Sequence, residues 1–170
     1  DINTFDFRWI PPHFTTRAFV AVFEIAPWFR YYYNTIVITG GIFAVQVVTI
    51  SLAAYAFARI RFKGRDVLFT IFLLQLMIPA QSIAVPNYMT IAWLRLLDTK
   101  LAVQLVYFAS AYGTFLMRQA FRTIPASLEE AARLEGASSF TLIFRILVPL
   151  TKPSLIAFAL VSVSHHWNEF

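Results

Sequence analysis

The chain contains no cysteine, which excludes disulfide scaffolds, thiolate zinc sites and cysteine nucleophiles. Charged residues are also scarce: they make up 14% of the 170 residues, whereas hydrophobic residues reach 59%. Ordinary globular chains carry about 25% charged residues. A soluble domain of this length therefore has too few charged groups to cover so much apolar surface, and the same composition excludes intrinsic disorder. The composition predicts a protein whose solvent is a lipid bilayer.

Residues for nucleotide, metal or nucleic-acid chemistry are missing as well. None of the five glycines begins a G-x-x-x-x-G-K phosphate loop, so ATP hydrolysis by this chain alone is not expected. His165 and His166 are adjacent, and a helix is expected to point them in different directions, which predicts no metal site. The net charge of +5 comes from clustered cations between uncharged runs, a pattern unlike a nucleic-acid surface. We therefore predict no catalytic residues, no metal and no nucleic-acid partner.

Long stretches without charged side chains predict membrane-spanning helices. A bilayer core about 30 Å thick requires about 20 apolar residues in a helix. Pro79 and Pro86 interrupt the second stretch and are expected to kink or end it. The predicted spans are residues 35–58, 67–85, 101–118 and 150–170, the last of them cut short.

The distribution of lysine and arginine predicts the orientation of these spans. Placing residues 59–66 and 118–152 on one side gives that side nine of the fourteen cations, so it is predicted to be cytoplasmic. Residues 1–33 are aromatic-rich and form a predicted extracytoplasmic head, followed by a membrane domain over 34–170. Because no initiator methionine or signal peptide precedes this head, we expect the sequence to be a fragment.

A short helix is predicted over residues 125–136, between the third and fourth spans. Pro125 suits a helix start, and Ser127 with Glu130 has the spacing of a capping box. Gly136 lies where a helix ends in a left-handed residue. One face of this helix is expected to hold Leu128, Ala131, Ala132 and Glu135. On periodicity alone the segment is also typical of an amphipathic helix on the membrane surface.

Polar residues within the predicted spans have two interpretations. Gln46, Gln75 and Gln104 either hydrogen-bond between helices or line a polar solute path. His165 and Asn168 near the end of the chain either face such a path or form an interfacial anchor with Trp167.

The short helix also carries a resemblance to a known family. Glu130-Ala131-Ala132, then Gly136, then Ile146 to Pro149 match the pattern E-A-A-x3-G-x9-I-x-L-P, with Val148 in place of leucine. This resembles the signature loop of permease subunits in binding-protein-dependent ABC importers. The resemblance extends over roughly residues 28–170, and within the family the chain is most similar to maltose-type permeases for disaccharides or glycerol-3-phosphate.

The resemblance implies a fold and a set of partners. The fold would be the all-α polytopic helical bundle of the type I ABC importer transmembrane domain with a cytoplasmic coupling helix, in a bacterial or archaeal plasma membrane. Six spans are usual in this family, so the first and last would be missing here. The partners would be a second permease, two ATPase subunits that hold ATP and Mg, an extracytoplasmic solute-binding protein and membrane lipid, and this chain would bind no cofactor. Coupling to the ATPase would fall to Glu130, Ala131, Ala132, Gly136, Ile146 and Pro149.

The expected function is therefore that of a non-enzymatic permease subunit. It would form half of the translocation path for a sugar or sugar-like solute. Two alternatives remain open: a permease for another polar solute, such as a glycerophosphodiester, polyol or amino acid, or a membrane scaffold subunit without a solute path.

Overall fold

The computed structural model describes residues 16–169, apart from the side chains of residues 17–19. The chain divides into two compact units, residues 1–33 and 34–170. Residues 1–15 of the predicted head lie outside the described residues. In the described part of the first unit, the indole N–H of Trp28 donates a hydrogen bond to the carbonyl of Val22 at 2.7 Å.

The described residues form helices and contain no strand, so the predicted all-α fold is confirmed. The α-helices are α1 Arg17–Ile25, α2 Trp28–Arg59, α3 Arg65–Leu74, α4 Ala80–Trp93, α5 Lys100–Val106, α6 Ala111–Thr123, α7 Ala126–Leu134, α8 Ser139–Thr141, α9 Val148–Leu150 and α10 Lys152–Glu169. A 3₁₀ turn, Gln75–Met77, follows α3, and a π-helical segment, Leu142–Leu147, joins α8 to α9.

Helix α2 contains the first predicted span and extends beyond it at both ends. Among residues 16–169 it is the one helix that is long and apolar enough to cross a bilayer by itself. Two bent helix pairs meet the same test when each is counted as one span, which gives up to three. The cationic end of α2, Arg59, is followed by Gly64, whose φ of 79° lets the chain turn into α3.

The second predicted span, residues 67–85, is not one continuous helix. The chain bends by 103° between the Arg65–Met77 segment and α4. Ile78 is extended at φ −85° and ψ 120°, as expected for a residue before proline, and Pro79 then precedes α4. Pro79 therefore breaks the span, whereas Pro86 is accommodated inside α4.

The third predicted span, residues 101–118, is also interrupted, without any proline. Helix α5 ends at Val106 and α6 begins at Ala111, with the Ser110 side chain accepting a hydrogen bond from the Gly113 N–H at 3.0 Å. The interruption leaves backbone carbonyls that need donors. Gln46 Nε2 donates to the Tyr107 carbonyl and Thr49 Oγ1 to the Phe108 carbonyl, each at 2.7 Å. Polar side chains of α2 thus compensate for the break.

The fourth segment begins later than predicted and follows another bend. The Ser139–Leu150 stretch meets α10 at 82°, with Thr151 at the bend. The Thr151 side chain is buried and donates to the Leu147 carbonyl at 2.9 Å. Helix α10 then begins at Lys152 with Pro153 in its first turn, where a missing N–H costs no hydrogen bond.

The core of the second unit lies where α2, α6, α7, the π-helical segment and α10 meet. Its buried members include Ile50, Ala54, Phe121, Leu142 and Phe158. Helix α6 approaches closely here, because a Cβ at Gly113 would lie 2.6 Å from the Phe158 ring. The core therefore packs directly under the short helix α7, through the buried Ala132.

Candidate functional site

The start of helix α7 differs from its prediction. The helix occupies Ala126–Leu134, and Pro125, with ψ 138°, is its N-cap without a side-chain cap hydrogen bond. The predicted capping box of Ser127 with Glu130 is therefore wrong. Ser127 already lies inside the first turn, too late to accept from the N–H groups that an N-cap satisfies. The Glu130 carboxylate is not used as a cap.

The end of α7 agrees with its prediction. Gly136 has φ 82°, in the left-handed region. Its N–H donates to the Arg133 carbonyl and the Ala137 N–H donates to the Ala132 carbonyl, both at 3.0 Å. These two bonds define a Schellman motif, which satisfies carbonyls that the last helical turn leaves free.

Gly136→Val is expected to destabilise the exit from α7 by about 1–2 kcal/mol, because a β-carbon is strained in the left-handed region. Beyond its two chain neighbours, no atom of the described residues lies within 4 Å of the position that a Cβ would take, so the effect is one of backbone conformation and not of a clash. Thermal unfolding of the purified protein measures it. Gly136→Asn is the matched control, since asparagine tolerates this conformation. Equal losses of stability for both variants would contradict the prediction.

One side of α7 is fixed to helix α2 through Glu129. Its carboxylate side chain is 12% exposed. The Tyr55 hydroxyl donates to Glu129 Oε1 at 2.7 Å, and Arg59 Nε lies 3.5 Å from Oε2. Arg133 Nη2 donates to the Tyr55 hydroxyl at 2.6 Å and to Glu129 Oε1 at 3.1 Å. We call Tyr55, Arg59, Glu129 and Arg133 the Glu129 cluster.

The two arginines of this cluster have further roles. Arg59 Nη2 donates to the carbonyls of Phe121 at 2.8 Å and Ile124 at 2.5 Å at the end of α6, where helical N–H donors run out and Phe121 otherwise accepts, among the described residues, only a long bond of 3.3 Å from the Ile124 N–H. The hydrogen bond to Glu129, and then Tyr55, raise the pKa of Arg133 above its ordinary value, so its guanidinium stays charged. The Glu129 cluster therefore joins the ends of α2, α6 and α7.

The other side of α7 is exposed and includes Glu130. This side chain has no hydrogen bond or ion pair with the described residues. Ala131 is exposed beside it, and Leu134, one turn later, is 90% exposed. Ala132, by contrast, is buried in the chain's own core, whereas Leu128, Ala131 and Glu135 of its predicted face are exposed. The exposed side of α7 therefore presents Glu130, Ala131 and Leu134.

The remaining residues of the signature pattern lie at the π-helical segment. Ile146 is half-buried against the core, and Pro149 is exposed in α9. Proline has no N–H and its ring collides with the carbonyl four residues earlier in a regular helix. The wider π-turn before it, closed by the Val148 N–H bond to the Ile143 carbonyl, accommodates this proline. Pro149 therefore shapes the chain that leads from α7 to α10.

The three predicted glutamines have different surroundings. Gln46 is buried, and besides its bond to Tyr107 it accepts from Ser162 Oγ at 2.6 Å. Gln104 Nε2 donates to the Val37 carbonyl at 2.9 Å. The interpretation as interhelical hydrogen bonds thus holds for both. Gln75 is exposed in the 3₁₀ turn, and no side-chain hydrogen bond joins it to the other two in the described structure.

The end of α10 contains one buried polar residue that the sequence did not single out. The His165 side chain is 59% exposed and lies 3.7 Å from Glu169, and Asn168 bonds to the Ser164 carbonyl. His166 is buried against the Tyr107 ring at 4.7 Å between centroids, and neither ring nitrogen has a partner among residues 16–169. The two histidine rings do not diverge as expected but lie 5.1 Å apart. One ligand atom each of His165, His166 and Glu169 lies within 4.8 Å of the others.

Sequence reasoning missed Glu129, Tyr55 and Leu134 at this site. Glu129 and Glu130 are adjacent, and the signature pattern gave weight only to the second. A helix turns about 100° per residue, so two adjacent glutamates point in different directions and do not share the same hydrogen-bond partners. That spacing was a signal that one glutamate would face inward.

The sequence of this chain is similar to those of known transport proteins. Residues 46–170 match the family described as binding-protein-dependent transport system inner membrane component. The sn-glycerol-3-phosphate transport system permease proteins UgpE of Yersinia enterocolitica serotype O:8 / biotype 1B and of Escherichia coli strain K12 are each 34% identical over 145 residues, covering 85% of this chain. The same alignments cover 52% of each relative.

A solved structure is similar as well. It is the crystal structure of a bacterial ABC transporter involved in the import of the acidic polysaccharide alginate, with a TM-score of 0.72 and 31% identity. The match covers 81% of this chain and 48% of that one. The chain therefore spans about half the length of the relatives it matches.

Proposed function

Because this chain belongs to the family of binding-protein-dependent transport system inner membrane components, we propose that it forms half of the translocation path of an ABC importer and couples this path to ATP hydrolysis by a partner. The observation that carries the proposal is the two-sided helix α7. Its inner side is joined to α2 by the Glu129 cluster, while its outer side presents Glu130 and an almost fully exposed Leu134. A rigidly attached helix with an unpaired charge and an apolar anchor suits docking to another subunit.

The partners follow from this role. The importer consists of a second permease, two ATPase subunits that hold ATP and Mg, and an extracytoplasmic solute-binding protein. The chain itself performs no chemical step. Closure of the ATPases moves α7, and the packed core above it transmits that movement to the spans, which alternate between two arrangements.

The solute we propose is a sugar or sugar-like molecule carrying negative charge. The two kinds of relative are named for glycerol-3-phosphate and for an acidic polysaccharide, and both of these are polyhydroxylated anions. Gln46 and Gln104 use their amides within the chain and His166 is buried, so we assign contact with the solute to the exposed polar side chains near the end of α10, His165 and Asn168. The alternatives are a permease for another polar solute and a membrane scaffold subunit without a solute path.

Uptake and co-purification test this function together. The full-length protein is expected to purify with an ATPase and a second permease, and cells that express it are expected to accumulate labelled sn-glycerol 3-phosphate or a labelled sugar. Co-purification of both partners with uptake of an amino acid only would retain the importer and replace the solute class. Purification without any ATPase would favour the scaffold and refute the importer.

The predicted orientation is tested by cysteine labelling. The chain has no cysteine of its own, so single introduced cysteines report without background. Cysteines at Lys63 and Ser138 are expected to be shielded from an impermeant thiol reagent in intact cells, and one at Thr99 is expected to react. Labelling of the Lys63 position from outside would reverse the orientation and remove α7 from the cytoplasm.

A further inference from the structure

A strongly cationic cavity lies between the end of α2, the start of α3 and helices α6 and α7. It has a volume of about 480 Å³. Five arginines and two glutamates contribute to its lining, a net charge of +3. The arginines are Arg59, Arg61, Arg65, Arg122 and Arg133, and the glutamates are Glu129 and Glu130.

Only some of these arginines have partners within the chain. Arg59 and Arg133 belong to the Glu129 cluster, and Arg65 pairs with Asp66 at 3.2 Å. The guanidinium groups of Arg61 and Arg122 form no ion pair or side-chain hydrogen bond with residues 16–169. Two unpaired guanidiniums in one concave surface repel each other, and an anion between them would relieve that repulsion.

The surroundings indicate what kind of anion this is. A second cavity of about 650 Å³ shares Arg61 and Arg65 and adds Lys63, the apolar Phe62 and Val67, and one acid, Asp66, which pairs with Arg65. From there an apolar strip continues along α3, where Val67 is 64%, Leu68 51% and Ile71 57% exposed. A ligand that fills both features has an anionic head and a hydrocarbon tail. An acidic protein surface would match the cations but not the apolar strip.

We propose that the cavity binds the phosphate of an anionic phospholipid of the membrane leaflet on that side. Arg61 and Arg122 bind the phosphate oxygens, since guanidinium forms paired hydrogen bonds with phosphate. The acyl chains lie along the exposed side chains of α3. Basic pockets at the ends of transmembrane helices are suited to such headgroups. The bound lipid then fixes the α2–α3 turn against α6, beside the Glu129 cluster.

The experiment measures lipid binding to the purified full-length protein. Native mass spectrometry compares phosphatidylglycerol with phosphatidylcholine for the unsubstituted protein and for an Arg61→Ala/Arg122→Ala variant. Each cation near an anionic lipid surface raises the binding affinity about fivefold. The double variant is therefore expected to bind phosphatidylglycerol about 30-fold more weakly, while its affinity for phosphatidylcholine stays the same. The control variant, Arg145→Ala/Lys152→Ala, removes the same charge from exposed positions outside the cavity. It is expected to bind phosphatidylglycerol as strongly as the unsubstituted protein.

Three outcomes would overturn the proposal. The first is equal loss of phosphatidylglycerol in the two double variants, which would show general attraction of a basic surface. The second is displacement of phosphatidylglycerol by millimolar inorganic phosphate, which would show that the site takes a free anion and not a lipid. The third is unchanged lipid binding with loss of the co-purified ATPase in Arg61→Ala/Arg122→Ala, which would assign the cavity to a protein partner. Because transport is not the readout, failure here leaves the importer proposal intact.

Discussion

Glu130→Ala is expected to reduce solute uptake and association with the ATPase while leaving the stability of this chain unchanged. The carboxylate is exposed and has no partner among the described residues, so the chain loses no internal contact. A charged hydrogen bond across a subunit interface contributes about 1.5–3 kcal/mol, equivalent to about 10-fold to 150-fold in affinity. Co-purification of the ATPase and uptake of labelled solute measure the first two effects, and thermal unfolding measures the third.

Two controls separate coupling from general damage. Ser127→Ala alters the same exposed side of α7 one turn earlier and is expected to have little effect, because the structure shows no cap there. Glu135→Ala removes the same charge at the exposed end of the helix. Uptake reduced equally by Glu130→Ala and Glu135→Ala would show a nonspecific charge effect, and the coupling role would have to be withdrawn from Glu130.

The parts of the fold that sequence predicted well depend on local signals. Helix α2 follows from an uncharged run ended by a cationic turn. The left-handed Gly136 follows from its place after a run of strong helix formers. Both features are determined within a few residues, so no knowledge of the tertiary structure was needed.

The parts that sequence predicted poorly depend on distant contacts. The break between α5 and α6 contains no proline or glycine, and its free carbonyls are satisfied by Gln46 and Thr49, about 60 residues earlier in the chain. The sequence alone therefore leaves both interpretations of Gln46 open, an interhelical hydrogen bond and a path residue, whereas the structure shows the hydrogen bonds. The inward direction of Glu129 similarly depends on Tyr55, which is 74 residues away.

Glu129→Ala is expected to have the opposite signature to Glu130→Ala, with a loss of stability as the primary effect. Removing this carboxylate leaves the Tyr55 hydroxyl without its acceptor and Arg59 without its ion pair. The side chain of Arg59 is only 16% exposed, so water replaces the lost partner poorly. Removing one partner of such a largely buried charged pair costs about 3 kcal/mol or more. The free energy of unfolding of the purified chain, from thermal or denaturant unfolding, measures this loss directly.

Glu129→Gln distinguishes the charge from the hydrogen bond. The amide oxygen still accepts from Tyr55 and Arg133, so a smaller loss of about 1 kcal/mol is expected. Uptake is expected to fall with stability across the two Glu129 variants, because α7 loses its attachment to α2 and transmits less of the ATPase movement. In Glu130→Ala, uptake falls while stability does not. If Glu129→Ala were as stable as the unsubstituted chain, the Glu129 cluster would not fix α7, and its proposed role in transmitting movement would be refuted.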